Sequence, residues 1–362
     1  MKSDNPRVHL VRTYYPHWGA HTAFNALVPR LRASGLPLHD RRVPMDSGKW
    51  PLSILERTVS RVSRKRGIRE YRLRDMAADM RSLFSIRFGK LDLIHLLDGE
   101  HSLLALPRWL RKLSETRRPV LIATLHQPPS LLPGLVRPEH LKELDLVLTV
   151  SPEQTDFLLD WVPGQPVRTL LLGVDTKHFT PPESPPPEQP FICLAGGIWM
   201  RDYDALNATA DLLSGQDNLE FHLVSPPPDY RPRTGNIIIH RNISDQALLH
   251  LYRSSHLLFM PLREATANTF LMEGAACGLP VLSTDRPSVR AYFPGPEAVL
   301  VQENNPQSFA ATIRLLIHQP GTRRDMSRAA RRRAEELSWE TMAEEYLAMY
   351  RELVASSRDH AD

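Results

Sequence analysis

Cysteine is nearly absent from this chain: Cys193 and Cys277 are the only two in 362 residues, and both sit in apolar surroundings. Such residues read as small core side chains, which excludes a disulfide scaffold and a cysteine-built metal site. Long hydrophobic runs are missing too. No apolar stretch approaches the roughly 18–20 residues of a membrane-spanning helix, and the opening MKSDNPRVHLVRTYY lacks the apolar core of a secretory signal. A cytoplasmic protein is therefore expected. Charge of one sign is in small excess, 45 Lys and Arg against 41 Asp and Glu. A net charge of +4 does not by itself imply nucleic acid.

Proline is abundant, with 32 residues unevenly spread. The densest stretch, TPPESPPPEQP at 180–190, favours extended polyproline II and reads as a connector. It separates an expected N-terminal domain, 1–179, from a C-terminal domain, 191–335, with a closing helical segment at 336–362 placed to cross back. On both sides, short continuous apolar runs alternate with amphipathic stretches. Before the connector they include VHLV (8–11) and PVLIATL (119–125), and after it FICLAGG (191–197) and HLLFMPL (256–262). Continuous runs suit strands covered on both faces, so two successive doubly wound α/β domains are expected. Ligands of such sheets bind beyond the carboxyl ends of the strands, and the space between two domains is the expected substrate cleft.

The segment PLREATANTFLMEGAACGLPVLSTD (261–285) places Glu264 and Glu273 on either side of an expected helix entrance. Asn268 suits the cap, Thr269 the first turn, and Gly278 with Pro280 the stop. Amides around Ala267, Asn268, Thr269 and Phe270 would form an anion site at the helix start. Thr269 and Glu273, four apart, share a helix face. A carboxylate there can accept two sugar hydroxyls. The plainer alternative makes Glu264 a solvated loop residue and Glu273 a group interacting with the helix dipole.

EGAACGLPVL, with Glu273 leading it, resembles the signature of the retaining glycosyltransferases of family 4, whose hallmark is two glutamates with seven residues between them. Here eight residues intervene, and Glu264 is the displaced counterpart. LLGVDTKHFTPP (171–182), NISDQALLHLYRSSHLLFMPL (242–262) and the closing helices also resemble that family in order. The resemblance implies the GT-B fold, two Rossmann-like domains facing each other across a cleft. It implies transfer of a sugar from an activated, nucleotide-linked donor to a hydroxyl acceptor, such as a glycan, a lipid-linked glycan or a small molecule. It implies neither cofactor nor metal. Donor-binding residues would be Gly19, Arg201, Ala267, Asn268, Thr269, Phe270 and Glu273, with Glu273 on the ribose. Glu264 and His126 would act near the reaction centre, and Asp98, Glu100 and His101 would meet the acceptor. The family's diphosphate-binding Lys is absent from AGGIWMRDYDAL (195–206), leaving Arg201, and its Gly-Gly loop is reduced to Gly19. Asp202-x-Asp204 reads as a helix start with Asp202 as cap, not a metal motif. A catalytically idle GT-B protein that binds a sugar nucleotide or a partner is the competing reading.

Residues 57–81 carry nine Lys and Arg against three Asp and Glu, with Val59, Val62, Ile68, Leu73 and Met76 interleaved. This stretch is expected either as a solvated basic face or as a peripheral contact with an anionic membrane at its inner face. No recognition motif for nucleic acid accompanies it.

Overall fold

The computed structural model describes residues 5–15, 19–45, 53–88, 91–113 and 118–359. The chain forms two compact units: the first holds residues up to Ala20, Phe24–Leu171 and the chain from Glu340 on, and the second holds His21–Ala23 and Leu172–Trp339. The division after Leu171 falls ahead of the proline-rich stretch, which groups with the second unit. Its polar groups are the reason. The carbonyl and hydroxyl of Thr180 accept from Arg253, the carbonyl of Pro187 meets His256 Nε2 at 2.8 Å, and Glu188 pairs with Arg323.

The first unit contains strands β1 (Val8–Tyr14), β2 (Leu38–Pro44), β3 (Leu93–Leu96), β4 (Val120–Leu125), β5 (Leu146–Thr149) and β6 (Val167–Thr169). Helices α1 (Phe24–Ala33), α2 (Ser53–Lys65), α3 (Leu73–Phe88), α4 (Gly99–Ser102), α5 (Leu106–Leu110), α6 (Leu132–Leu135), α7 (Pro138–Leu141) and α8 (Pro152–Trp161) connect them. All pairings are parallel, in the order β2-β1-β3-β4-β5-β6. Every residue of β3, β4 and β5 is buried, which is why their sequences run apolar without alternation. The polar exceptions are paired: buried His95 on β3 lies 2.8 Å from the Tyr350 hydroxyl and 2.7 Å from that of Thr124.

The second unit contains β7 (Phe191–Gly196), α9 (Tyr203–Leu212), β8 (Leu219–Val224), β9 (Ile237–His240), α10 (Asp245–Ser254) and β10 (Leu257–Met260). It continues with α11 (Thr269–Ala276), β11 (Val281–Thr284), α12 (Pro287–Tyr292), β12 (Ala298–Val301), α13 (Pro306–His318) and α14 (Pro320–Glu336). The last helix, α15 (Trp339–Asp359), starts beside Val174 and carries Tyr350 into the first unit. The second sheet is also wholly parallel, in the order β12-β11-β10-β7-β8-β9. Read outward from β7, this is the dinucleotide-fold order, with its reversal between β7 and β10. Small residues in α11 let it lie close to the sheet: a Cβ on Gly274 would stand 2.6 Å from a methyl carbon of Leu258.

The arginine-rich sequence of α14 serves packing. Arg331 donates to the carbonyls of Phe179, Ala276 and Thr176, and Arg333 to those of Tyr292 and Ala291. These cations satisfy the free carbonyls of helix ends and loops. No described helix is long and apolar enough to cross a membrane.

Candidate active site

At the reversal point of the second sheet, β7 ends at Gly196, with Gly197 next, and β10 ends ahead of a loop leading into α11. Gly197 has φ +86°, a conformation disfavoured for other residues. Gly196 is needed for space, since a Cβ there would meet the Phe270 ring at 2.2 Å. The two loops are knitted together by backbone: Asp202 donates to Pro261 and Arg263 to Met200, each at 2.9 Å. Asp202 caps α9 through Ala205, as its sequence position suggests, and its second oxygen accepts from Asn304.

Arg201 lies between the loops, half-buried. Its guanidinium donates to the carbonyls of Gly196 and Trp199, both at 2.8 Å, and to Asn268 Oδ1 at 3.3 Å. All three acceptors are neutral, and no carboxylate pairs with Arg201 among the described residues. Burial lowers its pKa to about 10, which leaves it charged at neutral pH. Asn268 is the expected cap of α11: Oδ1 also accepts from the Leu271 amide, while its buried Nδ2 has no partner among the described residues. Gly278, with φ +83°, follows the helix end as its sequence position requires. A positive charge, a helix start and a spare amide donor thus converge at one strand-end crevice. That arrangement suits an anion.

Glu273 lies deeper. It is buried, with Oε1 accepting from the Thr22 hydroxyl at 3.1 Å and Oε2 from the Tyr252 hydroxyl at 3.0 Å. Burial raises its pKa to about 7, against the pull of those two hydroxyls. Thr269, one turn earlier, is half-buried, as are Ala267, Phe270 and Glu264. The Phe270 ring packs on Tyr252 at 5.1 Å. Sequence reading did not single out Thr22, Tyr252, Gly196 or Gly197. The glycine pair directly after an apolar run was the available signal, whereas Thr22 and Tyr252 meet Glu273 only through the fold.

Residues 233–333, which include α11 and the loop before it, match the family described as glycosyl transferases group 1. The chain is 25% identical over 302 residues to a D-inositol 3-phosphate glycosyltransferase of Geodermatophilus obscurus, a match covering 72% of this chain and 66% of that protein. Among solved structures, it is similar to a sucrose-phosphate synthase from Thermosynechococcus elongatus, with a TM-score of 0.72 at 17% identity over 97% of this chain and 100% of that one. It is also similar to Anabaena Alr3699/HepE in complex with UDP and glucose, with a TM-score of 0.62 at 12% identity over 95% and 99% of the two chains. The chain has the GT-B fold.

In the first GT-B unit, the sheet reverses between β1 and β3, and the remaining predicted residues gather near strand ends there. The carboxylate of Asp98 is buried and accepts from the Thr13 amide at 2.7 Å. Buried Glu100 accepts from the amides of His126 and Gln127, at 2.5 and 2.8 Å, and so holds the turn after β4. His126 Nε2 lies 2.7 Å from the Leu97 carbonyl, and its ring meets Phe24 edge-on. His101 is half-exposed, with Nδ1 3.4 Å from the Glu70 carbonyl. Gly19 accepts from Asn25, whose own oxygen is fixed by Arg12. The structure thus brings Asp98, Glu100 and His126 into one backbone-bracing network. In the second unit, His21 Nδ1 lies 2.7 Å from Asp175, and its ring stacks on His178 at 3.7 Å.

Proposed function

We propose that this GT-B protein is a retaining glycosyltransferase of the family 4 type, moving a sugar from a nucleoside diphosphate donor to an acceptor hydroxyl. The observation that carries the reading is Arg201, a cation bound, among the described residues, only by neutral acceptors at the crevice where α11 begins. A diphosphate is the ligand whose charge completes that set. The match to glycosyl transferases group 1 covers the α11 side of this crevice and supports the class, as do the names of the D-inositol 3-phosphate glycosyltransferase and of the structure holding UDP and glucose.

In this reading, Arg201 and the amides of Ala267 to Phe270 stabilise the charge that develops on the departing diphosphate. Glu273 takes ribose hydroxyls, exchanging the Thr22 hydroxyl for them, and Gly19 allows close approach of the donor. Glu264 and His126 act beside the reacting sugar. Asp98, Glu100 and His101 serve the acceptor, with His101 the least buried of the three. The leaving phosphate assists attack on the same face, so the mechanism needs no enzymic nucleophile, cofactor or metal. The basic and apolar face of residues 57–81 would meet an anionic membrane, placing the enzyme peripherally at its inner side.

A screen of nucleotide sugars by thermal shift tests the reading. One donor should stabilise the wild type, and Arg201→Ala should weaken its binding roughly 30-fold, from losing about 2 kcal/mol of charge-assisted bonding. Failure of every nucleotide sugar at millimolar concentration would sink the donor assignment. Binding without hydrolysis or transfer would instead favour the idle binder, the reading that the altered glutamate spacing and the missing Lys support.

A further inference from the structure

The first unit contains a groove of about 270 Å³ away from the strand-end network. Its walls are apolar: Val59 and Val62 of α2, Met76 of α3, and Leu104 and Trp109 around α5. Two cations, Arg66 and Arg108, also line it, and among the described residues no carboxylate does. Both arginines are exposed, and neither forms an ion pair with a described residue. The apolar stripe of α2 continues past the groove. Leu55 lies one turn before Val59 on the same face, and Leu55 and Val62 are 49% and 41% exposed. Ile54 beside them is 78% exposed, while Arg57, Arg61, Arg64 and Lys65 follow along the same helix.

The groove lies next to the residues assigned to the acceptor. Leu104 follows α4 by two positions, and α4 carries Glu100 and His101 at the end of β3. His101 also reaches the Glu70 carbonyl, next to Tyr71 in the groove wall. An apolar slot with unpaired cations and an exposed apolar approach suits a ligand that is greasy along its length and anionic at one end. A peptide strand would need backbone partners, which these helical walls do not present. We propose that this groove binds the chain of an anionic lipid, with Arg66 and Arg108 holding its charged head. Resting on the glycosyltransferase reading above, this makes the acceptor an anionic amphiphile rather than a free sugar.

The test uses the full chain and dodecyl phosphate below its micelle concentration, read by the fluorescence of Trp109 as the difference between wild type and Trp109→Phe. The expected result is a saturable change. It should weaken at least tenfold in the doubly substituted R66Q/R108Q chain and at least tenfold in the groove-filling Ala105→Phe. Inorganic phosphate should give no response, and dodecyl maltoside should bind at least tenfold more weakly. An undiminished response in both variants would overturn the proposal. So would equal binding of inorganic phosphate, which marks a plain anion site, or of dodecyl maltoside, which marks non-specific apolar adsorption. The exposed arginines make R66Q/R108Q decisive should Ala105→Phe fail to fold. Nucleotide-sugar binding measured on the same sample separates the two readings. Amphiphile binding without donor binding would retain the groove and overturn the transferase, and donor binding without amphiphile binding would do the reverse.

Discussion

Glu273→Gln should change the pH dependence of stability in a calculable way. Burial raises the Glu273 pKa from 4.5 to about 7 in the folded chain. Between those values the folded protein keeps a proton that the unfolded chain has released, so stability falls as pH rises through the window. Below about pH 4.5 both states are protonated and the penalty vanishes; above about pH 7 both are ionised and it is complete. A shift of this size corresponds to about 3 kcal/mol in full, most of which develops between pH 5 and pH 8. Glutamine keeps the shape, accepts from Tyr252 and donates to Thr22, but cannot ionise. The variant should therefore gain about 2–3 kcal/mol on the wild type between pH 5 and pH 8. The chain has two units, so unfolding of the whole need not be two-state. Cys193 and Cys277 are both buried, free and within the second unit. Thiol labelling by a brief pulse after equilibration in urea thus reports that unit alone. A stability difference constant with pH would refute the reasoning, because it would mean that Glu273 ionises in the folded chain as readily as in the unfolded one.

Gly196→Ala should displace the Phe270 ring, which a Cβ would approach to 2.2 Å, at a cost of about 1–3 kcal/mol. Thermal melts should show the loss together with weaker nucleotide-sugar binding, whereas Gly215→Ala, with open space around it, should be silent. Burial lowers the His95 pKa to about 3, so below pH 6.5 the unfolded chain takes up a proton that the folded chain refuses. Stability should fall by about 1.4 kcal/mol for each pH unit of acidification in that window. Acid titration of His95→Gln, followed by circular dichroism, should lack this contribution; an unchanged acid profile would contradict it.

The elements around α11 were legible because their signals are local. Asn268 caps, Gly278 leaves the helix through a left-handed turn, and Pro280 forbids its continuation, each through backbone chemistry within a few residues. The parallel sheets were legible for a related reason, since a strand covered on both faces must be apolar throughout, as VLIATL is. The partners of those residues were not legible. Thr22 reaches Glu273 across 251 positions, and His95 reaches Tyr350 across 255. No periodicity encodes such meetings. Asp98 and Glu100 show the same limit: their place at a strand end was readable, but their use in holding the amides of Thr13, His126 and Gln127 was not.

By itself, then, the sequence determined the strands, the capped helix with its flanking glutamates, and the α/β class, because these depend on patterning and on backbone conformations that few residues tolerate. Only the tertiary structure decided that Arg201 faces neutral acceptors, that Glu273 is buried enough to hold its proton near neutral pH, and that the proline-rich stretch joins the second unit. Charge compensation and desolvation are sums over groups distant in the chain, and they take their values only when folding brings those groups together.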